Sequence, residues 1–286
     1  MKGRSIFTYD VYAPTTVTTM LRPRRQEGQS IIQEGFNIEP PVPFSEYTDL
    51  YGNPCQRTIL PVGRVTITTE VQAQVNPTKP IPNPAPAYML VGDLPDDVMH
   101  YILPSRYCQS DLHEINMLAL EIAGNLTPGY DQVEAIRTWI HNNIRYQYGV
   151  SNAATTALDT AYSRVGVCRD FTHLAIALCR NLCIPTRMTV GYLDKLKDMD
   201  LHAWFEVFIG GEWFRRGAGK NRGVPHRNRP WPRRRRCGDG YPVRQCSAAI
   251  AARGSGVARS GAINKKPVPE SGIGFALFGL SFKNGA

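Results

Sequence analysis

The sequence has no apolar run approaching about eighteen residues, so no membrane-crossing helix is expected. Its opening, Met1 to Asp10, carries charge but lacks the apolar centre of a secretion signal, and a cytoplasmic protein is the expectation. No metal pattern is present either. Seven cysteines stand at 55, 108, 168, 179, 183, 237 and 246, an odd number at irregular spacing. That pattern does not indicate a disulfide framework, and no second pair or nearby histidine completes a zinc site. Buried, reduced thiols are expected, with Cys179 and Cys183 four apart on one predicted helix. Neither metal nor cofactor is implied. Acids are missing from the end of the chain, with none between Glu212 and Asp239. Residues 215–286 hold 16 Lys+Arg against 2 Asp+Glu, a net of +14, whereas residues 1–214 hold 17 against 22, a net of −5. The formal charge of +9 therefore belongs to the tail alone. Such asymmetry suggests nucleic acid, but the tail shows no groove-reading element, which argues against that partner.

What is present divides the chain. Residues 1–75 read as β, with strands over Ser5–Tyr12, Thr15–Leu21, Gln29–Ile38 and Gly63–Val75 and a turn at Tyr51-Gly-Asn-Pro54. Short strands between turn signals predict a sandwich. Residues 76–86 hold five prolines in eleven positions and read as a stiff linker. Helical spacing follows over Leu112–Asn125, Asp131–Ile144 and Ala154–Tyr162. Strands are predicted from Ile184 and over Leu201–Ile209, the latter turning through Gly210-Gly211 into Glu212-Trp-Phe214. Periodicity is then lost until an apolar run near Ile273.

Two blocks carry chemistry. In Gly166-Val-Cys-Arg-Asp-Phe-Thr-His173, Cys168 opens a helix marked by Phe171, Leu174, Ala175, Leu178 and Leu182. Unpaired backbone N–H groups at a helix start favour a thiolate. In Leu201-His-Ala-Trp-Phe-Glu-Val207, His202, Trp204 and Glu206 share one strand face, and Ala203, Phe205 and Val207 the other. A thiol nucleophile needs an imidazole base, and this pair of elements can supply it. His173 and Asp170 read as structural, Asp170 as a first-turn carboxylate that favours the helix start. Trp204 reads as packing.

These blocks, with Ile184-Pro-Thr-Arg187, Gly210-Gly-Glu-Trp-Phe214 and Leu103-Pro-Ser-Arg-Tyr-Cys-Gln-Ser-Asp111, resemble the bacterial transglutaminase-like cysteine protease family over about residues 5–214. The resemblance implies an α+β fold: an N-terminal β-sandwich (1–76), a proline-rich linker (77–86) and a papain-like transglutaminase core (87–214) with a Cys-bearing helix on an antiparallel sheet. A basic, poorly ordered tail (215–286) would follow. It also implies a hydrolase or acyltransferase on peptide or glutamine amide bonds, with Cys168 as nucleophile and His202 as base, and with peptide or protein substrates and no membrane partner. The Cys168 N–H would help bind the oxyanion; the sequence does not identify the second donor, although Tyr146 and Gln147 lie upstream and could reach it. A third residue, an aspartate at about position 217, is expected but the sequence has Arg215-Arg-Gly-Ala218. The alternatives are an impaired enzyme or a non-catalytic peptide-binding member. A shift of reading frame near Phe214 would explain the change of composition; a genuine basic extension is the other explanation.

Overall fold

A computed structural model describes residues 2–25, 28–76, 85–192 and 201–216, together with the backbone of strands at 250–253, 258–260 and 274–276. Two compact units emerge. One comprises Met1–Asn76, Val190–Leu201 and Gly223–Ala286, the other Pro77–Thr189 and His202–Arg222.

In the first unit, β1 (Lys2–Val11), β2 (Thr15–Thr19), β3 (Gln29–Glu39), β4 (Ser45–Thr48), β5 (Pro54–Leu60) and β6 (Gly63–Val75) form antiparallel sheets. Alternation makes them a sandwich: Val65, Ile67, Thr69, Val71 and Ala73 of β6 are buried while the residues between them are not. Phe7 and Val11 of β1 and Val17 of β2 join that core. Sequence periodicity did not yield β4 or β5. Every residue of β4 is exposed, so it carries no inward stripe, and β5 buries polar Gln56 and Thr58 among its apolar residues. The Gln56 amide oxygen accepts from buried Thr19 at 3.2 Å, which satisfies a polar core position.

The second unit holds α1 (Asp96–Met99), α2 (His113–Ala123), α3 (Tyr130–Asn143), β7 (Arg145–Tyr146), α4 (Ala157–Ser163), β8 (Val165–Gly166) and α5 (Cys168–Asn181). The strands β9 (Thr186–Tyr192), β10 (Leu201–Ile209) and β11 (Glu212–Arg216) make a sheet with β10 in the middle. Gly210 and Gly211 have φ of 58° and 84°, the left-handed pair that a two-residue hairpin requires. Helix α4 starts later than its periodicity suggests because Thr156 caps it: the Thr156 N–H donates to Asp159 at 2.9 Å, and the Asp159 N–H returns to the Thr156 hydroxyl at 3.3 Å. Residues 168 to 179 of α5 are all buried. Ile115, Ala119, Ile136 and Ile140 of α2 and α3 pack with Phe171, Leu174 and Leu178 of α5 and with Phe205, Val207, Ile209 and Phe214 of the sheet. The other face of the sheet presents Phe208 to Leu94 and Val98. A central strand covered on both faces reads as continuous burial, and β10 does so apart from His202.

Two expectations change. Cys183 is not on the cysteine helix, which ends at Asn181; it is exposed, with φ of 57° just beyond the helix end. The left-handed turn that terminates the helix rotates it off the buried stripe. The tail also holds strands that its composition hid, β12 (Ile250–Arg253) and β13 (Ala258–Ser260), besides β14 (Gly274–Ala276) at the apolar run near Ile273. β12 pairs with β2, β13 with β1, and β14 with β12, all antiparallel. Strand addition at a sheet edge runs on backbone hydrogen bonds, so it needs no apolar alternation. The remaining tail expectations, and Cys237 and Cys246, lie outside the described residues.

Candidate active site

Cys168 is the first residue of α5, preceded by Val167 in extended conformation. Its residue is 9 % exposed, on a helix otherwise sealed in the core. The start of that helix is fixed by Asp170, whose Oδ2 accepts the Val167 N–H at 2.8 Å. Oδ1 of the same carboxylate accepts from Nε and Nη2 of Arg169 at 2.9 and 2.7 Å. Arg169 Nη2 also donates to the carbonyl of Asn152 at 2.9 Å. This ion pair is buried, so its geometry must satisfy both charges. Gly166 makes room for it: a Cβ there would lie 2.7 Å from the Asp170 Cβ. The whole block from Gly166 to Asp170 therefore serves to present one thiol at a helix start.

Tyr146 stands beside that thiol. β7 and β8 pair in parallel with Tyr146 opposite Gly166, and the Gln147 N–H donates to the Gly166 carbonyl at 2.9 Å. The Tyr146 ring meets Phe171 and Tyr148 edge-on at centroid distances of 5.8 and 5.3 Å. Burial first, then the neighbouring Cys168 and Tyr148, push its phenol well above the ordinary range, while the Cys168 backbone amide faces it. Tyr146 is thus a neutral O–H next to the backbone amide of Cys168. Of the two upstream residues offered by the sequence, Gln147 contributes backbone and its side chain is exposed.

His202 is the second residue of β10 and is half-buried. Burial, and secondarily the positive charge of Arg215, push its pKa down to about 4. An imidazole at that value is neutral near pH 7 and able to accept a proton. Glu206, two positions beyond Trp204, is bound by Arg187 through Nε and Nη2 at 3.0 and 2.8 Å to one carboxylate oxygen. Arg187 also lies 3.9 Å over the Trp213 ring. Position 217, where the orienting aspartate is expected, is glycine and falls outside the described residues. Among the described residues, the charged side chain that bears on His202 is Arg215, which the sequence did not signal.

The remaining candidates are structural in their surroundings. His173 is buried, stacked on Tyr107 at 5.4 Å, and burial pushes its pKa down to about 3. Trp204 is 1 % exposed, and its indole N–H has no hydrogen-bond partner among the described residues. Burial raises Cys108 to about 11 and Cys179 to about 12, which removes both from thiolate chemistry. Among the described residues, no three His, Cys, Asp or Glu side chains are grouped to hold a metal ion.

Residues 116–217, which include both blocks, match the model of the transglutaminase-like superfamily. The crystal structure of a putative cysteine protease from Cytophaga hutchinsonii superposes with a TM-score of 0.76 at 29% identity, covering 96% of this chain and 95% of that one. An uncharacterized protein of Mycobacterium leprae is 27% identical over 207 residues, 68% of this chain and 72% of that protein.

Proposed function

We propose, on the premise that residues 116–217 are a transglutaminase-like core, that the chain is a thiol-dependent acyl-transfer enzyme acting on peptide or glutamine amide bonds. Cys168 is the nucleophile and His202 the base. The observation that carries this reading is the seat of Cys168: a thiol at the start of a buried helix, set there by a glycine, a capping carboxylate and a buried arginine. The similarity to the Cytophaga hutchinsonii protein supports it.

In the proposed cycle, the neutral imidazole of His202 takes the thiol proton as sulfur attacks the amide carbon. The resulting oxyanion is met by the Cys168 N–H and the Tyr146 hydroxyl. His202 returns the proton to the departing amine, the C–N bond breaks, and a thioester remains on Cys168. Water or a primary amine then attacks the thioester and releases the thiol.

A second reading, a peptide-binding member without turnover, is favoured by one observation: among the described residues, the charge that bears on His202 is the guanidinium of Arg215. Initial rates on a panel of peptide and glutamine-containing substrates, with and without a primary amine, separate the two. A slow parent rate that falls by about a hundredfold or more in both Cys168→Ala and His202→Ala is the expected result. Turnover that neither change affects places the chemistry elsewhere. Peptide binding without any turnover selects the second reading.

A further inference from the structure

The chain beyond Tyr146 is pinned twice to the nucleophile block. The Gln147 N–H donates to the carbonyl of Gly166, two residues before Cys168, at 2.9 Å. The Asn152 carbonyl accepts from Nη2 of Arg169, the residue after Cys168, at 2.9 Å. That guanidinium is itself fixed on Asp170, whose other oxygen caps the helix start. No residue between the pins is more than two positions, about 7 Å of extended chain, from one of them. Asn152 also closes a turn of its own: its Oδ1 accepts the Ala154 N–H at 2.8 Å, and its carbonyl accepts the Thr155 N–H at 3.2 Å. The segment is therefore a held rim at the start of α5.

That rim is apolar. Tyr148 is 51 % exposed and Val150 37 %. Tyr148 meets Tyr146 edge-on at 5.3 Å, and Tyr146 meets Phe171, one turn beyond Cys168, at 5.8 Å. Gly149, between Tyr148 and Val150, has φ of 75°. A Cβ there would meet nothing within 4 Å among the described residues apart from its chain neighbours, so the crest of the rim opens to space. From Tyr146 to Leu158 the sequence has no Asp, Glu, Lys or Arg. Exposed apolar side chains grouped at a site favour a ligand with apolar surface. A charged side chain entering here would lose hydration and gain no partner from the rim.

We infer that Tyr148 and Val150 form an apolar subsite beside Cys168, which takes a large uncharged side chain, aromatic or branched aliphatic, from the acyl portion of the substrate. This rests on the reading of Cys168 as the nucleophile. The substrate class is thus peptides with such a residue on the acyl side of the bond attacked.

The test uses the full chain with Cys183→Ser, which silences the exposed thiol. The probes are N-acetyl dipeptidyl chloromethyl ketones with Phe, Leu, Ala, Lys or Glu at one position and glycine at the other, in both orders. Sulfur displaces chloride from these reagents, and peptide mass spectrometry reads the rate at Cys168. Each rate is divided by that of iodoacetamide, which carries no side chain, so that changes in thiol reactivity cancel. In one of the two orders, the Phe and Leu reagents are expected to label about tenfold faster than the Ala, Lys and Glu reagents. Tyr148→Ser combined with Val150→Ser should reduce that preference to about twofold, and Tyr148→Phe should keep it. Equal rates for all side chains overturn the inference, as does a preference for Lys or Glu, or a preference that survives the double change. If the expected order appears while Cys168→Ala leaves turnover of amide substrates intact, the subsite stands and the proposed function falls. If Cys168→Ala abolishes turnover and labelling ignores the side chain, the reverse holds. Failure of every reagent, iodoacetamide included, to label Cys168 overturns both.

Discussion

At the scale of single residues, the thiols separate by burial. Cys108 and Cys179 are sealed and pushed up to about 11 and about 12. Cys55 is buried and raised by desolvation. Cys183 is exposed at the helix end, so limiting iodoacetamide on the parent chain is expected to label Cys183 as well as Cys168. In Cys183→Ser, peptide mass spectrometry should find Cys168 modified ahead of Cys55, Cys108 and Cys179. Earlier labelling of Cys179 would remove Cys168 as the reactive group. His173 gives a second residue-scale expectation. Its folded pKa of about 3 lies below its ordinary value of 6.5. The stability it contributes is present above about pH 6.5 and is lost as pH falls towards about 3, because the unfolded chain binds the proton more readily. Urea midpoints at about pH 7.5 and about pH 5 should differ less in His173→Phe than in the parent. An unchanged difference would mean that His173 is not the group responsible. Asp170→Asn should cost about 3–5 kcal/mol by removing the carboxylate that balances the buried Arg169 charge, a loss readable as a lower denaturant midpoint.

At the scale of elements, β11 contains a misfit. Phe214 packs into the helical core, and alternation turns Arg216 to the same side. Its Nη1 reaches the Arg215 carbonyl at 2.7 Å, and its guanidinium lies 5.1 Å from the Tyr130 ring. Its Nε and Nη2 are buried with no hydrogen-bond partner among the described residues, and burial lowers its basicity. An unpaired buried donor costs about 1–3 kcal/mol, so an apolar side chain should suit this position better. Arg216→Leu is expected to stabilise the chain by about 1–2 kcal/mol, seen as a rise in Tm of a few degrees. A lower Tm would show that the guanidinium is satisfied after all. The helices pose no such conflict. The periodicity of α2 and α3 was legible because each buries one continuous stripe, and that of α5, buried all round from 168 to 179, because its apolar residues still recur at helical spacing. β4 was illegible for the opposite reason, since it has no buried side to mark.

At the scale of the whole molecule, the last part of the chain returns to the unit built by the first. β13 pairs along β1 and β12 along β2, so each covers a strand whose backbone groups would otherwise face outward. Ending the chain at residue 249 removes both covers. Such a truncation should associate in a concentration-dependent way, measured by light scattering, while the full chain at equal concentration does not. A truncated chain that stays monomeric would show that the two edges need no cover.

What the sequence by itself determined was local. Helix and strand periods located α2, α3, α5 and β10 to within a few residues, because each is amphipathic or wholly apolar over its own length. The spacing of Gly166, Cys168 and Asp170 announced a thiol at a helix start, since capping and close glycine packing act within four residues along the chain. What only the tertiary structure decided was long-range. The register of β10 and β11, fixed by the hairpin and the packing on both sheet faces, brought Arg215 onto Trp204. The parallel pairing of β7 with β8 brought Tyr146 to Cys168 across an intervening helix. The strands of the tail took their form from the edges that receive them. Each of these contacts depends on where distant segments meet, and no pattern within one segment encodes that meeting.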